Sequence, residues 1–271
     1  MFSSHPFTIC SSPSTDPNTP SKLVFYIRHQ GGFTEKLYQH ALENPDVPVP
    51  VQIDGPYGGA DLQKYRDSDR LLIIAGGSGA GWILPFIERF ARHNLRSETS
   101  RSHDLKDPST TEKSVPSIPG PSRMRIVLAT RDTISRKWFL RTVSELLEKY
   151  PACGVRVQVH LTGEAAKDAD LPDSKELQQS SSSSDEIEVP LKDHEAHIPG
   201  REFEGRPQLA HVIRDEAAKA AEESQSLGVF VCGPDTMQND VRNAVAAENM
   251  QIFKGSKADG VYLHSEHFSW A

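Results

Sequence analysis

The sequence predicts an α/β chain built on a parallel sheet. Three observations carry this expectation. Apolar runs recur after residue 60, too short for helices and poor in polar alternation, as strands buried on both faces should be. Segments of helical periodicity separate them, as βαβ units require. Two of the runs end in glycine turns, RLLIIAGG (Arg70–Gly77) and LGVFVCGPDTM (Leu227–Met237). Such turns place backbone N–H groups at the carboxyl ends of strands, where open α/β sheets bind ligands.

The elements follow in chain order. HPFTI (His5–Ile9) alternates like a strand, as do KLVFYIRH (Lys22–His29) and VPVPVQIDGPYGG (Val47–Gly59). Between the last two, GGFTEKLYQHALEN reads as a helix with Thr34 as its N-cap and Leu37, Ala41 and Leu42 on one face. RLLIIAGG then opens the α/β region, and GWILPFIERFARHNL is its first helix. MRIVLATRD and GVRVQVHLTG are the second and third strands, separated by the helix SRKWFLRTVSELLEKYP. Helix RPQLAHVIRDEAAKAAEES, strand LGVFVCGPDTM and helix MQNDVRNAVAAENM complete the pattern. The expected division is therefore 1–60 and 61–271. Two segments, 97–122 and 165–200, are rich in Ser and charge and poor in large apolar residues. They cannot bury enough surface to offset chain entropy and read as disordered inserts, with a phosphorylated regulatory loop as the alternative.

The 271 residues suffice for one or two domains with a core, and the net charge of −7 lacks the basic patch a nucleic-acid binder needs. Cys10, Cys153 and Cys232 are odd in number and widely spaced, which fits neither a disulfide framework nor zinc, so no metal site is expected. A reducing, cytosolic setting suits them. The longest apolar run, LLIIAGGSGAGWILPFI, is broken by glycines and Pro85, and falls short of the roughly 20 residues of a membrane span.

Five places could carry chemistry. Gly76, Gly77, Ser78 and Gly79, with Gly81, form a glycine turn between strand and helix, suited to a pyrophosphate or simply to tight packing. Cys232, Gly233 and Pro234 end an apolar strand; Cys232 is either a site residue or a buried structural thiol. Gly31, Gly32 and Thr34 begin a helix that could bind an anion or merely be capped. Arg131, with Arg136 close by, stands where a dinucleotide fold meets the adenosine ribose, and Arg there favours a 2′-phosphate over a 2′-hydroxyl. Phe268 and Trp270 close the chain with aromatics that should be tucked against the core or a ring system.

The ordered set HPFT, GGFT, GPYG, GGSGAG, CGP and EHFSW, spanning His5 to Trp270, resembles the ferredoxin–NADP reductase superfamily. It is most similar to the ferric reductase/NADPH oxidase branch, especially fungal ferric-chelate reductases. The resemblance implies a Rossmann-like NADPH-binding domain preceded by a truncated remnant of a flavin-binding β-barrel. It implies that Phe7 lies against the isoalloxazine, Thr8 bonds near flavin N5, and His5, next to Pro6, sits near the FAD phosphates. Gly32 and Thr34 would hold the FAD pyrophosphate. Gly55, Pro56, Tyr57 and Gly58 would form the turn between the two domains. The Gly76–Gly79 loop would bind the NADPH pyrophosphate, Cys232 would lie beside nicotinamide C4, and Phe268 or Trp270 would cover the flavin. In the family the flavin, at the cytoplasmic face of the plasma membrane, passes electrons through two membrane haems to ferric chelates outside the cell. The haem-bearing part and the front of the barrel are not recognisable here, so a soluble, cytosolic fragment is expected. The alternatives are a soluble flavin reductase, an NADPH oxidase-type module with another acceptor, or a nucleotide-binding module without catalysis.

Overall fold

The computed structural model describes residues 5–14, 16–103, 120–150, 154–163, 200–255 and 260–266. Its centre is a six-stranded, all-parallel sheet in the order β4-β3-β2-β1-β5-β6. The strands are β1 (Arg70–Gly76), β2 (Arg123–Thr130), β3 (Val155–Leu161), β4 (Gly200–Glu204), β5 (Leu227–Cys232) and β6 (Val261–Glu266). Every residue of β1 and β5 is buried, which is why their sequences run apolar without alternation. The β1–β5 register sets Ala75 opposite Cys232, and the β5–β6 register sets Cys232 opposite Glu266.

Helices cover both faces. Helix α3 (Ala80–His103) and α4 (Thr133–Lys149) pack on one, enclosing Leu71, Ile73, Ile83, Phe90, Ile126 and Phe139. Helices α5 (Leu209–Glu222) and α6 (Asp235–Phe253) pack on the other, over Leu72, Ile74, Val127, Val229 and Val231. Each fully buried Leu or Ile contributes about 1.5–3 kcal/mol, so these two layers dominate stability.

The opposite, amino-terminal edge of the sheet holds a buried ion-pair cluster. Glu216 of α5 accepts from Arg70 at 3.2 Å, Arg125 at 3.1 Å and Lys219 at 3.0 Å. Burial pushes the Glu216 carboxyl up, but the Lys219, Arg125 and Arg70 hydrogen bonds outweigh it and leave it below the usual carboxylate range.

Some expectations change. Helix α3 continues through residues 97–103, where the sequence predicts an insert, while 104–119 and 164–199 lie outside the described residues. Strands β4 and β6 and the short helix α2 (Leu62–Asp67) were not expected. Between residues 5 and 60 the described chain holds helix α1 (Gly32–Glu43) and no strand. The first two alternating segments are joined where Cys10 N donates to Val24 O at 2.8 Å. Leu23, Val49, Val51 and Ile53 are exposed. Strands need ladder partners and a face to bury, and a lone ribbon is marginal in water.

This segment is nonetheless seated on the α3/α4 face. Cys10 is buried against Gly81, where an added Cβ would lie 2.6 Å from its sulfur. Ser12 N donates to Glu88 of α3, Arg92 to Pro13 O, and Arg28 to Asp132 at 3.1 Å. The Tyr26 ring meets Trp138 edge-on at 4.6 Å.

Candidate functional site

The chain runs from β1 outward through β2, β3 and β4, then returns to β5 and β6 on the other side of β1. The direction of the strand order therefore reverses between β1 and β5. In an open α/β sheet that point is the ligand crevice. Its two walls are the glycine turn after β1 and the Cys-Gly-Pro turn after β5.

The glycine turn is a single 3-10 turn, Gly77–Gly79, running directly into α3. Gly77 takes φ +57°, and nothing lies within 4 Å of the Cβ it lacks. Ser78 is exposed beside it. The turn thus offers open space next to the amino terminus of a long helix, whose free N–H groups and dipole favour a phosphate. Gly79 is closed in: a Cβ there would meet the Cys232 carbonyl oxygen at 2.8 Å. At the end of β2, Thr130 Oγ1 is buried without a hydrogen-bond partner among the described residues, a polar atom placed for a bound hydroxyl. These features fit a dinucleotide.

Cys232 is fully buried at the crevice floor. Burial, reinforced by the Glu266 carboxylate, pushes its thiol up to about 12. It is a neutral thiol at physiological pH and no nucleophile. Its neighbour Glu266 was not singled out from sequence. Glu266 meets His264 Nε2 at 3.1 Å, and its Oε1 lies 2.8 Å from where Gly58 would carry a Cβ. Gly58, at φ +74°, takes the conformation that favours glycine where the Gly55–Gly58 turn meets the Glu266 carboxylate. Glu266 opens the EHFSW motif, but its place opposite Cys232 follows from the β5–β6 register, which the polar β6 sequence does not show.

The two amino-terminal motifs also come together. The His5 ring stacks on Phe33 at 4.6 Å and on Phe7 at 6.4 Å, joining HPFT to the start of α1. Thr8 O accepts from the Cys10 thiol at 3.2 Å, and Cys10 abuts the α3 amino terminus. Gly31 and Gly32 leave an open cradle with no side chain capping the helix N–H groups. This geometry also fits an anion such as a flavin pyrophosphate.

One expected role is corrected. Thr34 is not the N-cap: α1 begins at Gly32 with Gly31 as its cap, and the entry takes φ +111° and +57°, which glycine adopts at least cost. The Thr34 hydroxyl instead donates to Gly31 O at 3.0 Å and accepts from Gln30 N at 3.1 Å. Arg136 turns toward the sheet's far edge, pairing with Glu202 of β4 at 3.2 Å, while Arg131 stays exposed beside the end of β2. Phe268 and Trp270 lie outside the described residues. Among the described residues no acidic, Cys or His group could hold a metal ion, and no helix is long and apolar enough to cross a membrane.

Comparison with known proteins matches residues 68–246 to a family described as "Ferric reductase NAD binding domain" and residues 1–61 to one described as "FAD-binding domain". The chain is similar to ferric reductase transmembrane component 6 of Saccharomyces cerevisiae, 29% identical over 244 residues, covering 89% of this chain and 28% of that protein. It is 26% identical over 270 residues to respiratory burst oxidase homolog protein B of Oryza sativa subsp. japonica, again covering 89% of this chain and 28% of the relative. An 83-residue stretch is 41% identical to ferric reduction oxidase 5 of Arabidopsis thaliana, covering 31% of this chain and 11% of that protein. The chain thus spans well under half the length of these relatives.

Proposed function

The chain belongs to the ferric reductase NAD-binding domain family, and from that premise we propose that it carries hydride from NADPH to FAD as the reductase portion of a ferric-chelate reductase. The observation that carries this reading is the crevice between β1 and β5, walled by an open phosphate-binding turn and floored by a neutral thiol beside a carboxylate. When bound, FAD supplies the chemistry of accepting two electrons and releasing them singly.

The chain's own residues bind and orient. The Gly76–Gly79 turn and the α3 amino terminus hold the nucleotide's pyrophosphate. Thr130 and Arg131 face its adenosine ribose. Cys232, small, buried and uncharged, gives the nicotinamide ring a dry wall, and Glu266 sets the polarity at its edge. His5, Phe7, Thr8 and the Gly31–Thr34 turn hold the flavin and its pyrophosphate. Orientation of this kind supplies most of the rate in a reaction whose bond-making is the cofactor's own. In the full assembly the electrons then pass through membrane haems to ferric chelates, with this portion on the cytoplasmic face.

The reading is tested by mixing purified chain, FAD and NADPH without oxygen and following flavin absorbance at 450 nm. Bleaching supports it; a purified, folded chain that neither binds NADPH nor reduces flavin overturns it. The likeness to a respiratory burst oxidase homolog favours a second reading, an oxidase-type module. Faster electron delivery to dioxygen than to ferric citrate in the assembled protein would select it.

Two variants sharpen the proposal. Cys232→Ala should slow flavin reduction by roughly 10- to 100-fold with the KM for NADPH unchanged, since misplacement near an angstrom costs about that much. An unchanged rate returns Cys232 to the structural thiols. NADPH should bind about tenfold tighter than NADH, the worth of one charge-assisted hydrogen bond from Arg131 to the 2′-phosphate. Arg131→Ala should erase the difference in a fluorescence titration. Equal affinities in the parent chain would sink the assignment of Arg131.

A further inference from the structure

Gln238 sits in the first turn of α6 and is fully buried. A polar residue there normally faces solvent. Its side-chain amide instead uses every hydrogen-bonding position it has. Nε2 donates to Gly233 O at 2.7 Å and to Glu266 O at 3.2 Å. Oε1 accepts from Ser265 Oγ at 2.8 Å and from Arg242 Nη2 at 3.1 Å. Arg242 reaches Ser265 Oγ as well, at 3.3 Å.

The place of these bonds gives them meaning. Cys232 and Glu266 are the last pair of the β5–β6 ladder among the described residues. Beyond Cys232 the chain enters the Cys-Gly-Pro turn. Gln238 ties the two strand ends together through one amide, taking the carbonyl just after Cys232 and the carbonyl of Glu266 itself. The Gly233 turn is closed on its other side, where an added Cβ would meet Met237 Sδ at 2.8 Å. The backbones that present the thiol and the carboxylate are thereby held at one separation.

We infer that Gln238 is a positioning residue for hydride transfer, acting by clamping the Cys232 turn to the end of β6 so that the nicotinamide wall keeps its shape. The inference rests on the proposed reductase reading for its consequence, though not for the clamp itself. Leu at position 238 keeps the volume and strands both carbonyls. Glu keeps the acceptor side toward Ser265 and Arg242 but sets a carboxylate against the same two carbonyls. Both should open the turn.

The test uses the chain with Cys10→Ser and Cys153→Ser, so that Cys232 alone reports. In Gln238→Leu and Gln238→Glu, Cys232 should react with a small aromatic disulfide at least tenfold faster than in the parent. In the flavin-loaded chain kcat should fall at least tenfold while the KM for NADPH and the affinity for 2′,5′-ADP stay within twofold, because the pyrophosphate turn is untouched. Ser265→Ala, which removes one of the two donors to Gln238 Oε1 together with the Arg242 contact to Ser265, should move both readouts the same way by about threefold and keeps the question answerable if the Gln238 variants do not fold. Unchanged labelling, or kcat and KM moving together with the melting temperature, overturns the clamp. A parent chain that fails to reduce flavin refutes the reductase reading, and the labelling rates still decide whether Gln238 holds the turn.

Discussion

Glu216→Ala is expected to cost about 3–5 kcal/mol of folding stability, the typical loss when one partner of a buried ion pair is removed. Glu216 has 5% of its side chain exposed, and Arg70 and Arg125 have 8% and 11%. Without the carboxylate, two guanidinium groups stay buried. Arg70 keeps only the half-exposed Glu223 and a 3.4 Å contact to Gln225, and Arg125 keeps Gln158. Against the roughly 5–15 kcal/mol that holds a domain together, this loss makes the variant marginal. The dependence on pH has a definite sign. The folded Glu216 carboxyl titrates below its ordinary value of 4.5, so its contribution is full above that value and fades as pH falls through the lower, folded one. Urea unfolding at pH 7 should show the whole difference between parent and variant, and the gap should narrow under strongly acidic conditions. A loss under about 1 kcal/mol at pH 7 would mean the cluster is solvated in solution. Replacing Arg70, Arg125 and Glu216 together by apolar residues should recover most of the stability, because no charge is then left buried alone.

The parts of this protein that read clearly from sequence are those whose physics is local or continuous. β1 and β5 are buried on both faces, so their residues had to be apolar throughout, and the runs stood out. Their glycine ends marked the crevice for the same reason, since a backbone that approaches a ligand closely cannot carry side chains. β4 and β6 did not read, because each is an edge strand with one paired side. GREFE holds one large apolar residue, and VYLHSE places its Ser and Glu where only the fold makes them matter. Glu266 and Gln238 belong to this class. Their roles come from register across β5 and β6 and from a helix that packs 28 residues away in sequence, and no pattern within either segment encodes that meeting. The segment before residue 60 shows the converse. Its alternation is legible, yet alternation states only that a face wants covering, and Val49, Val51 and Ile53 are exposed in the structure. The partner of Arg136 was illegible for a related reason: Glu202, at 3.2 Å, lies on a strand that the sequence hides.

Gly79→Val should abolish useful nucleotide binding, with a loss of roughly 100-fold or more, about 2.7 kcal/mol. The reason is the neighbour that a Cβ would strike. At 2.8 Å stands the Cys232 carbonyl oxygen, and at 3.2 Å the Ala75 Cβ. Both belong to strands locked in register with one another, so neither can step aside as the tip of a flexible side chain could. The turn itself must move, and it carries the α3 amino terminus with it. Gly77 offers the control. Its φ of +57° is unfavourable for most residues, but the space beside it is open. Gly77→Asn should therefore cost about 1 kcal/mol or less, since Asn visits that conformation routinely. The two glycines are two residues apart in one turn and would be indistinguishable in a sequence argument. Titration of both variants with 2′,5′-ADP separates them. If Gly79→Val binds within threefold of the parent, the turn is a packing device and the phosphate lies elsewhere. If Gly77→Asn fails as badly as Gly79→Val, the backbone conformation at Gly77, and not the close approach at Gly79, shapes the crevice. The expected ranking, severe at 79 and mild at 77, follows only if the β1–β5 crevice is held open by the contact between Gly79 and the carbonyl of Cys232.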